Sequence, residues 1–231
     1  MSKFPRSFQP EDVARWQRIA LVVGIVATVI CAVGAPFSPT QFFRAWLAAY
    51  QFYLGLGLGC LVVLMIYHLT GGAWGYLIRR VLEAGTRTLP LLALLFIPIG
   101  CGLVYLYIWA RPEEVEHSRT LQHQQVYLNA RFFWGRAFVY FSMWSVIAYF
   151  LNSWSRQQNE AADPCVPDRL ARLSAPGLII YGVTITFASV DWVMSLQPSF
   201  RSTIFGPLVA SGQLLSAHAF ALVVLAWVAS R

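Results

Sequence analysis

Charge is scarce in this sequence. Lys, Arg, Asp and Glu together make up 12% of its 231 residues, about half the share of a soluble domain. So little charge cannot keep a chain that is 58% hydrophobic dispersed in water, which excludes an ordinary soluble globule. Cysteine is sparse as well: Cys31, Cys60, Cys101 and Cys165 form no CxxC and no Cys/His cluster. Neither a zinc site nor an iron–sulfur cluster is therefore expected. Three of the four lie in apolar runs, where a thiol serves as a small polarizable packing group. The polar/apolar alternation of a barrel strand is missing. No signal peptide is evident either, because about eighteen polar residues precede the first apolar run.

Histidine is also rare, with four in all. His117 and His123 stand in a loop rich in Glu and Gln. His68 and His218 fall at different depths of two apolar runs. At ~1.5 Å per residue the difference is roughly 16 Å, too far for one haem iron. The chain is expected to carry no haem and no metal of its own.

What the sequence has in quantity is apolar length. Runs able to cross a ~30 Å hydrocarbon core occur at about 18–35, 43–69, 89–109, 132–151, 176–194 and 204–230. Pro36, Pro39, Pro112, Pro164, Pro167 and Pro198 fall between them, where helix breakers belong. Pro90 opens the third run, and Pro98 lies inside it and predicts a kink. The expected fold is all-α, a polytopic membrane helix bundle. A cytosolic segment over residues 1–17 precedes a transmembrane domain over 18–231, with the second to fifth spans packed as one bundle.

Eleven of the 17 Lys and Arg residues fall on the side that carries the N-terminus. The positive-inside rule places that side in the cytoplasm. The stretch "EDVARWQRIA" (11–20) has the mixed face of a short interfacial helix. The net charge of +7 is thus accounted for by cytosolic loops and anionic headgroups. The lipid bilayer is the expected partner, and nucleic acid is not.

Between the second and third runs lies "HLTGGAWGYLIRRVLEAGTRTLP" (68–90), read as a cytosolic turn followed by an interfacial helix. Arg79, Glu83 and Arg87 recur at i, i+4 and i+8, one ion-paired stripe if helical. Two accounts stand. With Arg80, these arginines anchor the membrane boundary, or Glu83 with His68 forms the mouth of a proton path. Ionisable groups inside spans are functional candidates by default, which adds Asp191 and His218. A carboxylate in apolar surroundings has its charged form disfavoured. That suits Asp191 to accept a proton, and snorkelling to nearby water is the competing account. Gly55, Gly57 and Gly59 in "LGLGLGC" are read as a helix-packing face.

Three motifs in order resemble one family: the bridge at 68–90, "YLNARFFWGRAFVYFSMW" (127–144) and "DWVMSLQPSFRSTIFG" (191–206). Together they resemble the NrfD-like (polysulfide reductase membrane subunit) family, in its ActF-type branch from bacterial alternative complex III. The likeness runs over about residues 40–220. It carries His68, Gly71, Gly72, Trp74, Arg79, Arg80, Glu83, Asn129, Arg136, Asp191, Ser195, Ser202 and Thr203 onto family positions. Ser199 and Phe200 depart from the family's His-Trp.

The resemblance implies a fold of paired four-helix bundles with about ten spans. Of the six here, the second to fifth would then form the first bundle and the sixth would open the second, with the C-terminal remainder missing. It also implies a place in a quinol:cytochrome c oxidoreductase of the bacterial cytoplasmic membrane. The implied partners are a second NrfD-like membrane subunit and periplasmic haem c and iron–sulfur subunits. The implied role is support of quinol oxidation and proton conduction, with quinone bound in the complex and no catalysis by this chain alone. The residues also admit a secondary transporter coupled through Asp191 and His218, or a structural anchor for periplasmic redox subunits.

Overall fold

The computed structural model describes residues 10–161 and 165–230, and these are helical almost throughout, with no strand among them. The chain runs through α1 (Pro10–Gly34), α2 (Pro39–Thr70), α3 (Ala73–Thr86), α4 (Leu89–Leu95), α5 (Ile97–Cys101), α6 (Leu103–Leu106), α7 (Pro112–His117), α8 (Arg119–Gln124), α9 (Ala130–Ala161), α10 (Val166–Trp192) and α11 (Phe205–Ala229). Short 3₁₀ turns occupy Ile108–Ala110 and Met194–Leu196. The fold is an all-α helical bundle.

Helix α2 is its axis, packed against α3, α10 and α11, while α9 covers α10 and α4. Pro39 opens α2, where its missing N–H leaves no bond unmade. Gly71 (φ 65°) and Gly72 (φ 94°) end it in backbone conformations that L side chains rarely adopt. This two-residue reversal changes the expected layout. No length is left for a helix lying in the membrane plane, so α3 folds straight back on α2 and buries Ile78, Arg79, Leu82 and Glu83. The apolar helical stretch then runs from Ala73 to Cys101. Most of the 68–90 bridge is thus the first part of this apolar stretch. Its charges tolerate burial because Arg79 and Glu83 neutralise each other.

Four stretches are long and apolar enough to cross a membrane: Pro39–Thr70, Ala73–Cys101, Val166–Leu196 and Phe205–Ala229. The sequence predicted six. In α1 the apolar stretch among the described residues is Gln17–Cys31, and its side chains stay exposed. Helix α9 has ample length at 32 residues, but its Trp, Tyr, Ser and Arg content keeps its hydropathy low. The break expected at Pro98 is present, with α4 ending at Leu95 and α5 restarting at Ile97.

The sequence also predicted α11 outside the first bundle. It packs inside it, along α2. A Cβ on Gly59 would stand 2.1 Å from the Gln213 carbonyl oxygen of α11, and one on Gly55 3.2 Å from Gln213 Cγ. Gly57 faces the other way, 3.2 Å from Leu92 Cδ1. Small residues let the helices approach closely on two sides. Around this axis Phe96, Phe133, Phe141, Trp144 and Trp192 form an aromatic core, with Phe96 and Trp192 rings 4.8 Å apart.

Candidate functional site: two buried ion-pair clusters

Helix α9 carries a polar group near each of its ends, and each joins a buried acid to an arginine. Near its start, Arg136 faces Asp191 at the end of α10. Arg136 Nε donates to Asp191 Oδ2 at 2.8 Å and Nη2 to Oδ1 at 3.0 Å, the two-pronged geometry that suits guanidinium to carboxylate. Tyr140, one turn further along α9, donates its hydroxyl to Oδ2 at 3.0 Å. Asp191 is wholly buried at 0% exposure, so these partners replace the water it has lost. Tyr127 closes the outside: its carbonyl accepts from Arg136 Nη1, and its ring lies 4.0 Å under the guanidinium. Burial, with the Asp191 charge beside it, pushes the Tyr127 hydroxyl up to about 12, so it stays protonated at physiological pH.

At the other end Ser155 meets the pair on α3. Arg79 Nε donates to Glu83 Oε1 at 2.8 Å. Arg79 Nη2 donates to the Ser155 hydroxyl, which in turn donates to Glu83 Oε1. Arg79 and Glu83 are 8% and 3% exposed. One turn away, Thr86 Oγ1 accepts from Asn152 Nδ2 at 2.7 Å, and Asn152 Oδ1 accepts from Arg87 Nε at 3.1 Å. His68 lies within electrostatic reach of both Arg79 and Glu83, and its Nε2 is buried with no hydrogen-bond partner.

The predicted residues thus separate into groups. His68, Arg79 and Glu83 come together. Arg87 joins them through Asn152, while Arg80 is exposed and turned away. Asp191 stands in the opposite cluster. His218 joins neither: its Nδ1 donates to the Leu214 carbonyl of its own helix at 3.0 Å, roughly 20 Å from the start of α11.

Sequence reasoning missed the partners of Asp191. Arg136 already lies inside the apolar run 132–151. A guanidinium there demands a counter-charge, and Asp191 is the acid that the spans offer. Tyr140 and Ser155 carried no signal, since hydroxyls on long helices are common.

Between the clusters the bundle holds hydroxyl and amide groups. Trp144 Nε1 donates to Thr184 Oγ1 at 2.8 Å, and the Tyr181 hydroxyl to Gln213 Oε1 at 2.8 Å. Among the described residues no hydrogen bond links one cluster to the other, and no group of three or more His, Cys, Asp or Glu side chains is placed to hold a metal ion.

This architecture defines a helical protein with several apolar helices, as in multi-pass membrane proteins. No protein-family model matches the chain, and comparison with curated proteins finds no match.

Proposed function

We propose that the chain is an NrfD-like membrane subunit of a quinol-oxidising respiratory complex. It sits in the bacterial cytoplasmic membrane with its N-terminus cytosolic, beside a second such subunit and periplasmic haem c and iron–sulfur proteins. Its own part is to hold the complex in the bilayer and to carry protons at the two membrane boundaries. One observation supports this reading above the others. Arg136 and Ser155 lie on one helix, roughly 28 Å apart at ~1.5 Å per residue, which matches a ~30 Å hydrocarbon core. Each marks a buried acid that shares a proton-bearing hydroxyl, Tyr140 on Asp191 and Ser155 on Glu83. A buried acid–hydroxyl pair at each boundary is what the inner and outer half-channels of a proton path require. His218 stands at intermediate depth between them.

The three motifs of the resemblance supply the charged residues of both clusters. His68, Arg79 and Glu83 come from the first, Arg136 from the second and Asp191 from the third. The test is proton uptake and release per electron, measured on the complex in sealed vesicles. Ser155→Ala and Tyr140→Phe remove a relay hydroxyl without unbalancing charge, while Glu83→Gln and Asp191→Asn remove the acids. Lowered stoichiometry with quinol oxidation largely retained is expected. Unchanged stoichiometry in all four makes the clusters structural and the subunit a scaffold.

A further inference from the structure

A groove of about 800 Å³ runs along α2, walled by α3 and α4 on one side and by the far part of α11 on the other, with Thr28 of α1 also lining it. Its lining is overwhelmingly apolar, with Trp46, Leu91, Leu95 and Phe220 among it. Tyr53 and Leu91 on its rim are exposed, so it opens sideways from the bundle, toward the surrounding bilayer. Arg80 stands at one end.

The polar groups in this groove are already engaged, with two exceptions, Arg80 and the Tyr53 hydroxyl on the exposed rim. Trp46 Nε1 donates to the Leu95 carbonyl at 3.2 Å, and the Tyr50 hydroxyl to the Leu92 carbonyl at 2.9 Å. The hydroxyls of Thr28 and Thr88 donate to carbonyls of their own chain segments, Gly24 and Gly85. Arg79 is paired with Glu83, and Arg87 with Asn152. Arg80 has no ion pair and no hydrogen bond among the described residues. The groove therefore offers a cation at one end, one hydroxyl on its rim and hydrocarbon elsewhere. A ligand recognised through ring carbonyls finds a single unspent neutral donor, the Tyr53 hydroxyl on the rim, whereas an anion with a long apolar chain finds both of its needs met.

The dimensions agree. From Arg80 to Leu95 along α3 and α4 is roughly 22 Å, about the depth of one leaflet with its headgroups, half of a ~40–45 Å bilayer. Arg80 also lies on the side richer in Lys and Arg, the side of the leaflet that carries anionic lipid.

We propose that this groove holds one anionic glycerophospholipid, its phosphate on Arg80 and one acyl chain lying along α4 toward Trp46. The proposal needs only that the bundle sits in a membrane, and it stands apart from any role in quinol oxidation.

The test uses the full chain in detergent micelles with added phosphatidylglycerol whose acyl chains are brominated, a quencher of tryptophan fluorescence on contact. The difference between the wild type and Trp46→Phe isolates the signal of Trp46. Phosphatidylglycerol is expected to quench it at about fivefold lower mole fraction than brominated phosphatidylcholine, the preference one basic side chain supplies. Arg80→Gln abolishes that preference and Arg80→Lys keeps it. Equal quenching by the two lipids in the wild type overturns the proposal, as does an unchanged preference in Arg80→Gln. Displacement of both lipids alike by a short-chain quinone also overturns it and assigns the groove to a neutral ring. Should Arg80→Gln fail to fold, the wild-type comparison of the two lipids decides the matter alone.

Discussion

Arg136 and Asp191 are joined by two parallel hydrogen bonds, at 2.8 and 3.0 Å, that tie the start of α9 to the end of α10. Their positions lie far apart in the chain, and the side chain of Asp191 is almost inaccessible. Such a pair is a mutual dependence more than a source of net stability. Each partner makes the burial of the other tolerable, and the desolvation of both offsets much of their attraction.

That dependence is measurable. Asp191→Ala strands a guanidinium among aromatic side chains and is expected to destabilise the bundle by about 3–5 kcal/mol. The double change Asp191→Leu with Arg136→Met leaves no uncompensated charge and recovers most of the loss. Thermal unfolding of the wild type and these two variants in the same detergent reads both numbers. A double variant no more stable than Asp191→Ala alone would show that the bonds themselves, and not the stranded charge, carry the effect.

Gly59 and Gly57 sit two residues apart on α2 yet face different neighbours. A methyl group on Gly59 meets a backbone carbonyl of α11 at 2.1 Å, while one on Gly57 meets the movable end of the Leu92 side chain at 3.2 Å. Backbone cannot rotate aside and a leucine methyl can. Gly59→Ala is therefore expected to cost at least about 1–3 kcal/mol, the usual range for overpacking, and Gly57→Ala less than about 1. Chemical unfolding of the two variants side by side checks the order. Equal losses would mean that α11 shifts freely along α2.

The basic residues give an expected orientation that labelling tests. A cysteine introduced at Gln125, in the 110–131 loop, is expected to react with a membrane-impermeant maleimide added outside the cell. One introduced at Gln157, near the other end of α9, is expected to react only after permeabilisation. Both positions are exposed. The reverse pattern inverts the topology, and with it the assignment of Arg80 to the leaflet richer in anionic lipid.

The sequence by itself determined the class of this protein. Scarce charge and repeated long apolar runs suit helices that satisfy their own backbone polar groups, as a bilayer demands, and most of the prolines between the runs mark where the helices break. Composition also exposed Glu83, Asp191, His68 and His218, because an ionisable group among apolar residues is visible without any structure. What the tertiary structure decided is which groups meet. The Gly71–Gly72 reversal turns an apparent surface helix into a packed one, so Arg79 and Glu83 move from boundary to interior. Arg136 finds Asp191, and Ser155 finds Glu83, across helices whose relative rotation no single-chain periodicity records. His218 is left with its own backbone. Periodicity fixes the face a residue takes on its helix; only packing fixes which face of another helix lies opposite.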